Sequence, residues 1–220
     1  GEEYIGDIRD LNALKSAVAS ANPEIIFHLA AQPLVLESYH DPYSTFSTNI
    51  MGVINLFETV KNLKIQPVIV NVTTDKVYKN NEWVWAYREN EKLGGSDPYS
   101  ASKACSEILT QCYFESFFQK NGVKIASARA GNVIGGGDIS PDRLVPDFLR
   151  ALEQKDSLTV RNPSAIRPWQ HVLEPVSGYL LLAQKLSQLD GGQFTGSWNF
   201  GPTGDAVSVQ TVLNKLTQMA

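Results

Sequence analysis

The chain has 220 residues, 43% hydrophobic and 19% charged, with a formal net charge of -4. That composition suits one large globular domain, or one domain plus an extension, with ample core. No Lys/Arg cluster is long enough for a nucleic-acid tract, and no apolar stretch approaches the roughly 18 residues that a membrane span needs. Nucleic acid and membrane are therefore not expected partners. No signal peptide is read, although the chain opens on Gly1 without a Met. Cys105 and Cys112 fall on one predicted helix, about 10 Å apart along its axis, too far for a disulfide. Reduced thiols in a core fit the cytosol, and a cytoplasmic location is expected. His28, His40 and His171 show no ligand spacing, so no metal is expected.

Strand-like and helix-like stretches alternate along the chain. Residues 25–31 (IIFHLAA) form a short apolar run, read as a buried strand. From Tyr43 to Leu63 the apolar residues Phe46, Ile50, Val53, Ile54, Phe57 and Val60 recur at helical intervals. A strand is expected over 67–73 and a helix over 98–119, with Asp97 as N-cap and Pro98 at its first position. A further strand is expected over 123–130, and helices over 141–154, 174–186 and 208–218. Thr159-Val160 and Trp198-Asn199-Phe200 are short strand candidates, and residues 187–193 read as a polar loop. Strands this apolar, alternating with helices, predict an α/β fold: a Rossmann-like parallel sheet with helices on both faces. The strand signal weakens after about residue 135, which suggests a smaller C-terminal substrate lobe. The division expected is 1–134 and 135–220, with interleaved elements.

Chemistry-bearing residues gather at the predicted strand ends. Open α/β sheets bind ligands outside the carboxyl ends of their strands. The strand over 67–73 ends in Thr73-Thr74-Asp75-Lys76. An acid–base pair there suits elimination of water, one group removing a proton and the other protonating the departing oxygen. An Asx-turn at Asp75 with a solvated Lys76 is the plainer alternative. Tyr99 and Lys103 stand one helical turn apart, so a phenol and an ammonium share a helix face. A nearby cation favours phenolate over phenol. A surface Tyr and Lys on an ordinary helix would give the same spacing.

Other stretches carry weaker signals. In Gly6-Asp7-Ile8-Arg9-Asp10 an Asp can bond an adenine or ribose edge, while Asp10 equally suits the N-cap of the following helix. Leu29-Ala30-Ala31 would let a flat cofactor approach the backbone, or simply pack tightly. Arg129, Asn132, Arg161 and Arg167 are candidates for diphosphate oxygens, which guanidinium forks bind bidentately; surface salt bridges are the alternative for Arg161 and Arg167. Residues 79–96 form a long loop in which Trp83, Trp85 and Tyr87 alternate, either a lid or base-stacking platform or a satellite hydrophobic cluster.

In this order the pieces resemble the extended short-chain dehydrogenase/reductase family. They are GDIRD (6–10), HLAAQ (28–32), TNIMGVINLFE (48–58), TTDKVY (73–78), DPYSASK (97–103), RAGNVIGGGD (129–138), RPWQHV (167–172) and NFGP (199–202). The loop from Glu82 and the Asp75-Lys76 pair most resemble family members that dehydrate CDP-glucose. The resemblance implies a nucleotide-sugar 4,6-dehydratase working on tightly held NAD. Tyr99 would deprotonate the glucose 4-hydroxyl as hydride leaves C4. Lys76 would then remove the C5 proton, Asp75 would protonate the leaving C6 hydroxyl, and hydride return to C6 would give the 4-keto-6-deoxy sugar. Lys103 would hold the nicotinamide ribose and keep Tyr99 acidic, and Thr74 would bond the 4-hydroxyl.

By the same resemblance Asp7 and Ile8 lie near adenine. Leu29, Ala30, Ala31, Gln32, Thr48 and Thr73 line the dinucleotide, and Asn132, Arg161 and Arg167 meet the substrate. A homodimer or higher homo-oligomer is implied, through helices near 43–63 and 98–119. The family's opening strand and glycine-rich turn are missing here, and Gly135-Gly136-Gly137 follows the wrong element to replace them. The expectation is a fragment truncated at both ends, without the first two strands. An epimerase or reductase of the same family, or a non-catalytic nucleotide-binding fragment, are the rival readings.

Overall fold

The computed structural model describes residues 2–204 and 207–220. The chain divides into two compact units, Gly1–Arg129 with Gly178–Asn199, and Ala130–Ser177 with Phe200–Ala220.

The first unit is built on parallel strands. Helix α1 (Leu11–Ala21) starts where the Asp10 carboxylate accepts from the Asn12 and Ala13 amides, and ends at left-handed Asn22. Strand β1 (Ile25–His28) follows, three residues shorter than 25–31 because Leu29 onward leaves the ladder. A short helix α2 (Val35–His40), which the sequence pattern did not reveal, precedes α3 (Pro42–Phe46). The helix expected over 43–63 is present as α3, a wide π-turn (Ser47–Met51) and α4 (Gly52–Leu63).

Strand β2 (Val68–Val72) pairs in parallel with β1 on one side and with β3 (Lys124–Ala130) on the other, with Asn71 opposite Ser127. Helix α5 (Pro98–Tyr113) connects β2 to β3 and runs on through a π-turn, Phe114–Phe118. Strand β7 (Gly196–Phe200), with its range extended from 198–200, completes the order β1-β2-β3-β7. The core clusters Val53, Leu56, Phe57 and Val60 of α4 with Ile69, Phe118 and Ile125. Those α4 positions recur at three- and four-residue intervals, which is why one helix face closes over the sheet. Cys105 is half-buried and Cys112 exposed, both as free thiols, so a core position fails for Cys112 because it lies on the outer face of α5.

The second unit holds short pairings. Strand β4 (Val133–Ile134) lies parallel to β6 (Gln170–His171), and β5 (Ile166–Arg167) lies antiparallel to β8 (Val207–Ser208). Helix α6 (Leu144–Gln154) begins three residues later than expected, and α8 (Val209–Met219) is capped by the Ser208 hydroxyl. Thr159-Val160 is not a strand; it meets no ladder among the described residues, and the pairing falls instead on Ile166-Arg167 after the Asn162-Pro163 turn. Helix α7 (Leu173–Ser187) belongs to both units. The loop expected over 187–193 contains a 3₁₀ turn, Gly191–Phe194. Among the described residues no helix is long and apolar enough to cross a membrane, and none group to hold a metal.

Candidate active site

The site grows from the carboxyl end of β2. The Thr73 amide donates to Ala128 O at 2.8 Å, carrying the ladder one residue past the strand. Thr74 then caps a short 3₁₀ turn, Asp75–Val77: its hydroxyl accepts from the Lys76 amide (3.4 Å) and donates to the Asp75 carboxylate (3.1 Å). The turn is therefore capped by Thr74. Thr73 and Thr74 are buried, while Lys76 is exposed, with its ammonium 6.0 Å from the centre of the Tyr99 ring.

Helix α5 delivers the other half. Its N-cap Asp97 accepts from the Ser100 amide (2.9 Å) and hydroxyl (2.6 Å), and Pro98 fills the first position. The first turns are thereby fixed beside the β2 terminus. Tyr99 and Lys103 are both buried, 8% and 6% exposed, so they are not the surface pair that the spacing also allowed. The Lys103 ammonium donates to Val72 O at 3.1 Å. Burial pushes its pKa down to about 8, with Glu107 opposing the shift. His28, at the end of β1, is buried too; burial and then the nearby Lys103 charge hold its imidazole down at about 4, neutral at ordinary pH.

A second group lines the ends of β1 and the chain before α1. Leu29 is 58% exposed and Ala30 is exposed, with Ala31 half-buried beyond them. Gln32 is pinned: its amide donates to Asn49 Oδ1 (2.8 Å), and Asn49 Nδ2 donates to Gln32 O (3.1 Å) and Ser102 Oγ (2.9 Å). Thr48 sits half-buried in the same π-turn as Asn49. Ile8 is fixed through Asn55 Nδ2, which donates to Ile8 O at 3.1 Å and Arg9 O at 2.9 Å. A side chain on Gly52 would strike Ile8, with its Cβ 2.8 Å from Ile8 Cγ2, so the close approach of this segment to α4 needs glycine there. The Asp7 carboxylate is held by Arg9 at 2.6 Å, and hydrogen bonds from Arg9 bring its pKa to about 2.

Asn132, Arg161 and Arg167 belong to the second unit. Asn132 O accepts from the Gln170 amide at 3.0 Å, which joins β4 to β6. Arg161 is exposed, and exposed Arg167 donates to Ile166 O at 3.0 Å. Arg129, grouped with them in the sequence, is instead buried in an ion pair with Glu107 (2.8 Å), the two side chains 3% and 2% exposed. A guanidinium committed to a buried carboxylate is not a diphosphate fork. The aromatic loop resolves as a satellite cluster: Trp83 packs on Trp85 and Tyr87 (5.4 and 5.1 Å between ring centres), and Tyr87 stacks on Tyr78 at 5.1 Å.

Asn49, Ser102 and Glu107 are site supports that the sequence reading missed. Their signal was available: Tyr99, Lys103 and Glu107 fall on one helix face at four-residue steps, and so do Ser102, Ser106 and Thr110. The last two hydroxyls accept from Asn71 Nδ2 at 3.0 and 2.8 Å.

A parallel sheet with a Tyr-x-x-x-Lys helix beside a Thr-Thr-Asp-Lys strand end defines an extended short-chain dehydrogenase/reductase. The chain belongs to the family described as GDP-mannose 4,6 dehydratase, whose model matches residues 3–197. It is 51% identical to the CDP-glucose 4,6-dehydratase of Salmonella typhimurium over 99% of its own length and 62% of that relative's. It is 29% identical to a dTDP-D-glucose 4,6-dehydratase of Dictyostelium discoideum, over 90% of its length and 45% of the relative's. The chain thus spans about half to three-fifths of these two relatives. Among solved structures it superposes on Thermus thermophilus UDP-glucose 4-epimerase in complex with NAD with a TM-score of 0.80, at 25% identity, covering 98% of this chain and 68% of that one. The fold also matches Streptomyces venezuelae dTDP-glucose 4,6-dehydratase, with NAD and TYD bound, at a TM-score of 0.81 and 24% identity, covering 97% of this chain and 62% of that one.

Proposed function

We propose that the protein to which this chain belongs is an NAD-dependent nucleotide-sugar 4,6-dehydratase, converting CDP-glucose to CDP-4-keto-6-deoxyglucose. One observation carries the reading: a buried Tyr99–Lys103 helix face, with Lys103 on Val72 O, meets an acid and an amine at the Thr74–Lys76 turn, Lys76 lying 6.0 Å from the Tyr99 ring. An epimerase needs the first half of that set; an elimination needs both. The likeness to the Salmonella relative supports CDP-glucose as the substrate.

The residues fit NAD. Leu29 and Ala30 leave an open apolar strip at a strand end, where a flat ring can lie against small side chains. Lys103 is a buried cation whose depressed pKa means that it is under-solvated, so a ribose hydroxyl beside it is favourable. In this reading Asp7 and Ile8 lie near adenine, and Ala31, Gln32, Thr48 and Thr73 line the rest of the dinucleotide. When bound, NAD accepts hydride from the sugar C4 and returns it at C6. Tyr99 Oη takes the 4-hydroxyl proton, and the Lys103 charge favours the phenolate. Thr74 Oγ1 orients that hydroxyl. Lys76 Nζ removes the C5 proton, the Asp75 carboxyl donates a proton to the departing C6 oxygen, and the Lys76 ammonium returns a proton to C5 as hydride arrives at C6. In this reading residues 1–134 serve mainly the dinucleotide. The sugar nucleotide is met by Asn132 and, from the 135–220 region, by Arg161 and Arg167. Exposed Ile108 and Phe117 offer an apolar face for self-association.

The test is Lys76→Ala in the full-length protein, assayed with CDP-glucose. The variant is expected to oxidise C4 and stall without forming the 6-deoxy product. Near-normal formation of the 6-deoxy product would overturn the assignment of Lys76, whereas a parent protein that epimerises or reduces the sugar without forming that product would favour an epimerase or reductase.

A further inference from the structure

The buried Glu107–Arg129 pair is given no step in the chemistry, yet its hydrogen bonds bracket the acid–base turn. Glu107 Oε1 accepts from the Thr73 hydroxyl, the residue just before the acid–base turn. Glu107 Oε2 accepts from Arg129 Nη2 at 2.8 Å and from Ser197 Oγ at 3.0 Å. Arg129 Nη1 donates to the Tyr78 hydroxyl at 2.7 Å, the residue just after the turn, and to Glu89 O at 2.9 Å. The guanidinium also lies over the Tyr78 ring, 5.0 Å from its centre. The Tyr78 hydroxyl donates to Asn199 Oδ1 at 2.6 Å, and Asn199 Nδ2 donates to Tyr87 O at 2.9 Å.

The turn is also held by packing: Val77 is fully buried, in a cluster with Tyr78 and Ala104 of α5. Local bonds run from Thr74 to Asp75 and Lys76, and from Val77 N to Thr74 O at 3.3 Å. A second anchor is Val77 O, which accepts from Gly94 N at 2.8 Å. Strong, charge-assisted bonds at both flanks add to this packing and to the Gly94 bond in holding a short 3₁₀ turn in one conformation. Glu107 also shares its helix face with Tyr99 and Lys103, so the grip on the turn and the proton-accepting phenol ride on one rigid element.

From this geometry we infer that Glu107 and Arg129 are positioning residues. By gripping Thr73 and Tyr78 they hold Asp75 and Lys76 in register with Tyr99 for the elimination step. Neither touches the sugar. The inference rests on the dehydratase reading for its chemistry, but the clamp itself is physical and can be tested apart from it.

The experiment uses the full-length protein and two variants. Glu107→Gln removes the buried charge; Tyr78→Phe removes a single gripped hydroxyl and leaves the ring stacked. The physical arm is amide hydrogen exchange over residues 73–79, with thermal melting as the control for global stability. Exchange in that segment is expected to rise about tenfold in Tyr78→Phe while α4 and β3 stay protected, a change consistent with losing one charge-assisted bond. Unchanged exchange in this segment would overturn the inference, whatever the enzyme does.

The chemical arm compares CDP-glucose with and without deuterium at C5. The variants are expected to lose about tenfold in kcat with KM nearly unchanged, and the C5 isotope effect on kcat is expected to rise, because proton removal by a misplaced Lys76 becomes limiting. A loss of activity with the isotope effect unmoved is a purely structural effect and would overturn the positioning role. If the parent enzyme does not turn over CDP-glucose at all, the dehydratase reading fails, and the exchange result alone decides the clamp.

Discussion

Lys103→Met should make the cofactor-free protein more stable while abolishing its activity. Lys103 is 6% exposed, and its pKa falls from 10.5 to about 8, chiefly through burial. That drop corresponds to roughly 3 kcal/mol disfavouring the charged form in the folded chain. Methionine keeps the apolar stem and removes the ammonium. The loss is the bond to Val72 O, and an unsatisfied buried carbonyl costs about 1–2 kcal/mol. The net expectation near neutral pH is a gain of about 1–2 kcal/mol, a rise in Tm of roughly 3–6 °C for a chain of this size.

The pH dependence fixes the cause. Between about 8 and 10.5 the unfolded lysine binds a proton that the folded one has released, so the parent gains stability as pH climbs through that window. The variant has no such group, so its advantage should vanish at about pH 9 and the order should reverse by about pH 10. Thermal melting of both proteins across that range is the assay. A variant less stable than the parent at neutral pH, or a gap that ignores pH, would refute the reasoning.

Other predictions follow from the same geometry. His28 titrates near 4 in the folded chain against 6.5 ordinarily, so its contribution to stability is lost as pH falls from about 6.5 to about 4; His28→Asn should flatten that acid limb in pH-dependent melting by roughly 3 kcal/mol. Tyr99→Phe removes one hydroxyl and should leave the melting temperature within about 2–3 °C while turnover drops by at least a factor of about a hundred; turnover near the parent's level would dismiss Tyr99 as the base. Phe57→Ala empties a fully buried site packed edge-on against Phe118 (5.6 Å between ring centres) and should cost about 3–5 kcal/mol in denaturant unfolding.

The fold was legible where hydrophobic period and capping chemistry agreed. Asp97-Pro98 announced α5, and the Val68–Val72 run announced a buried strand, because both rest on local rules. The π-turn at Ser47–Met51 was not legible, since periodicity reads through an extra backbone residue, and that turn is where Asn49 reaches Gln32 and Ser102. The short pairings of the second unit were also hidden: two-residue strands such as Ile166-Arg167 have no pattern of their own and depend on distant partners. At the site, Tyr99 and Lys103 could be paired by spacing, whereas the roles of Arg129 and Glu107 turned on burial, which charge type alone does not disclose. Arg129 looked like a phosphate ligand because an isolated guanidinium resembles one; its carboxylate partner lies on another element.

The most direct test follows the hydrogen on C4. Full-length protein is given CDP-glucose carrying deuterium at C4, and the product is read by proton and deuterium NMR. The account predicts a 4-keto-6-deoxy product with the deuterium on its C6 methyl group, moved there within one active site. Deuterium still on C4, in an epimer or in unchanged sugar, would contradict it.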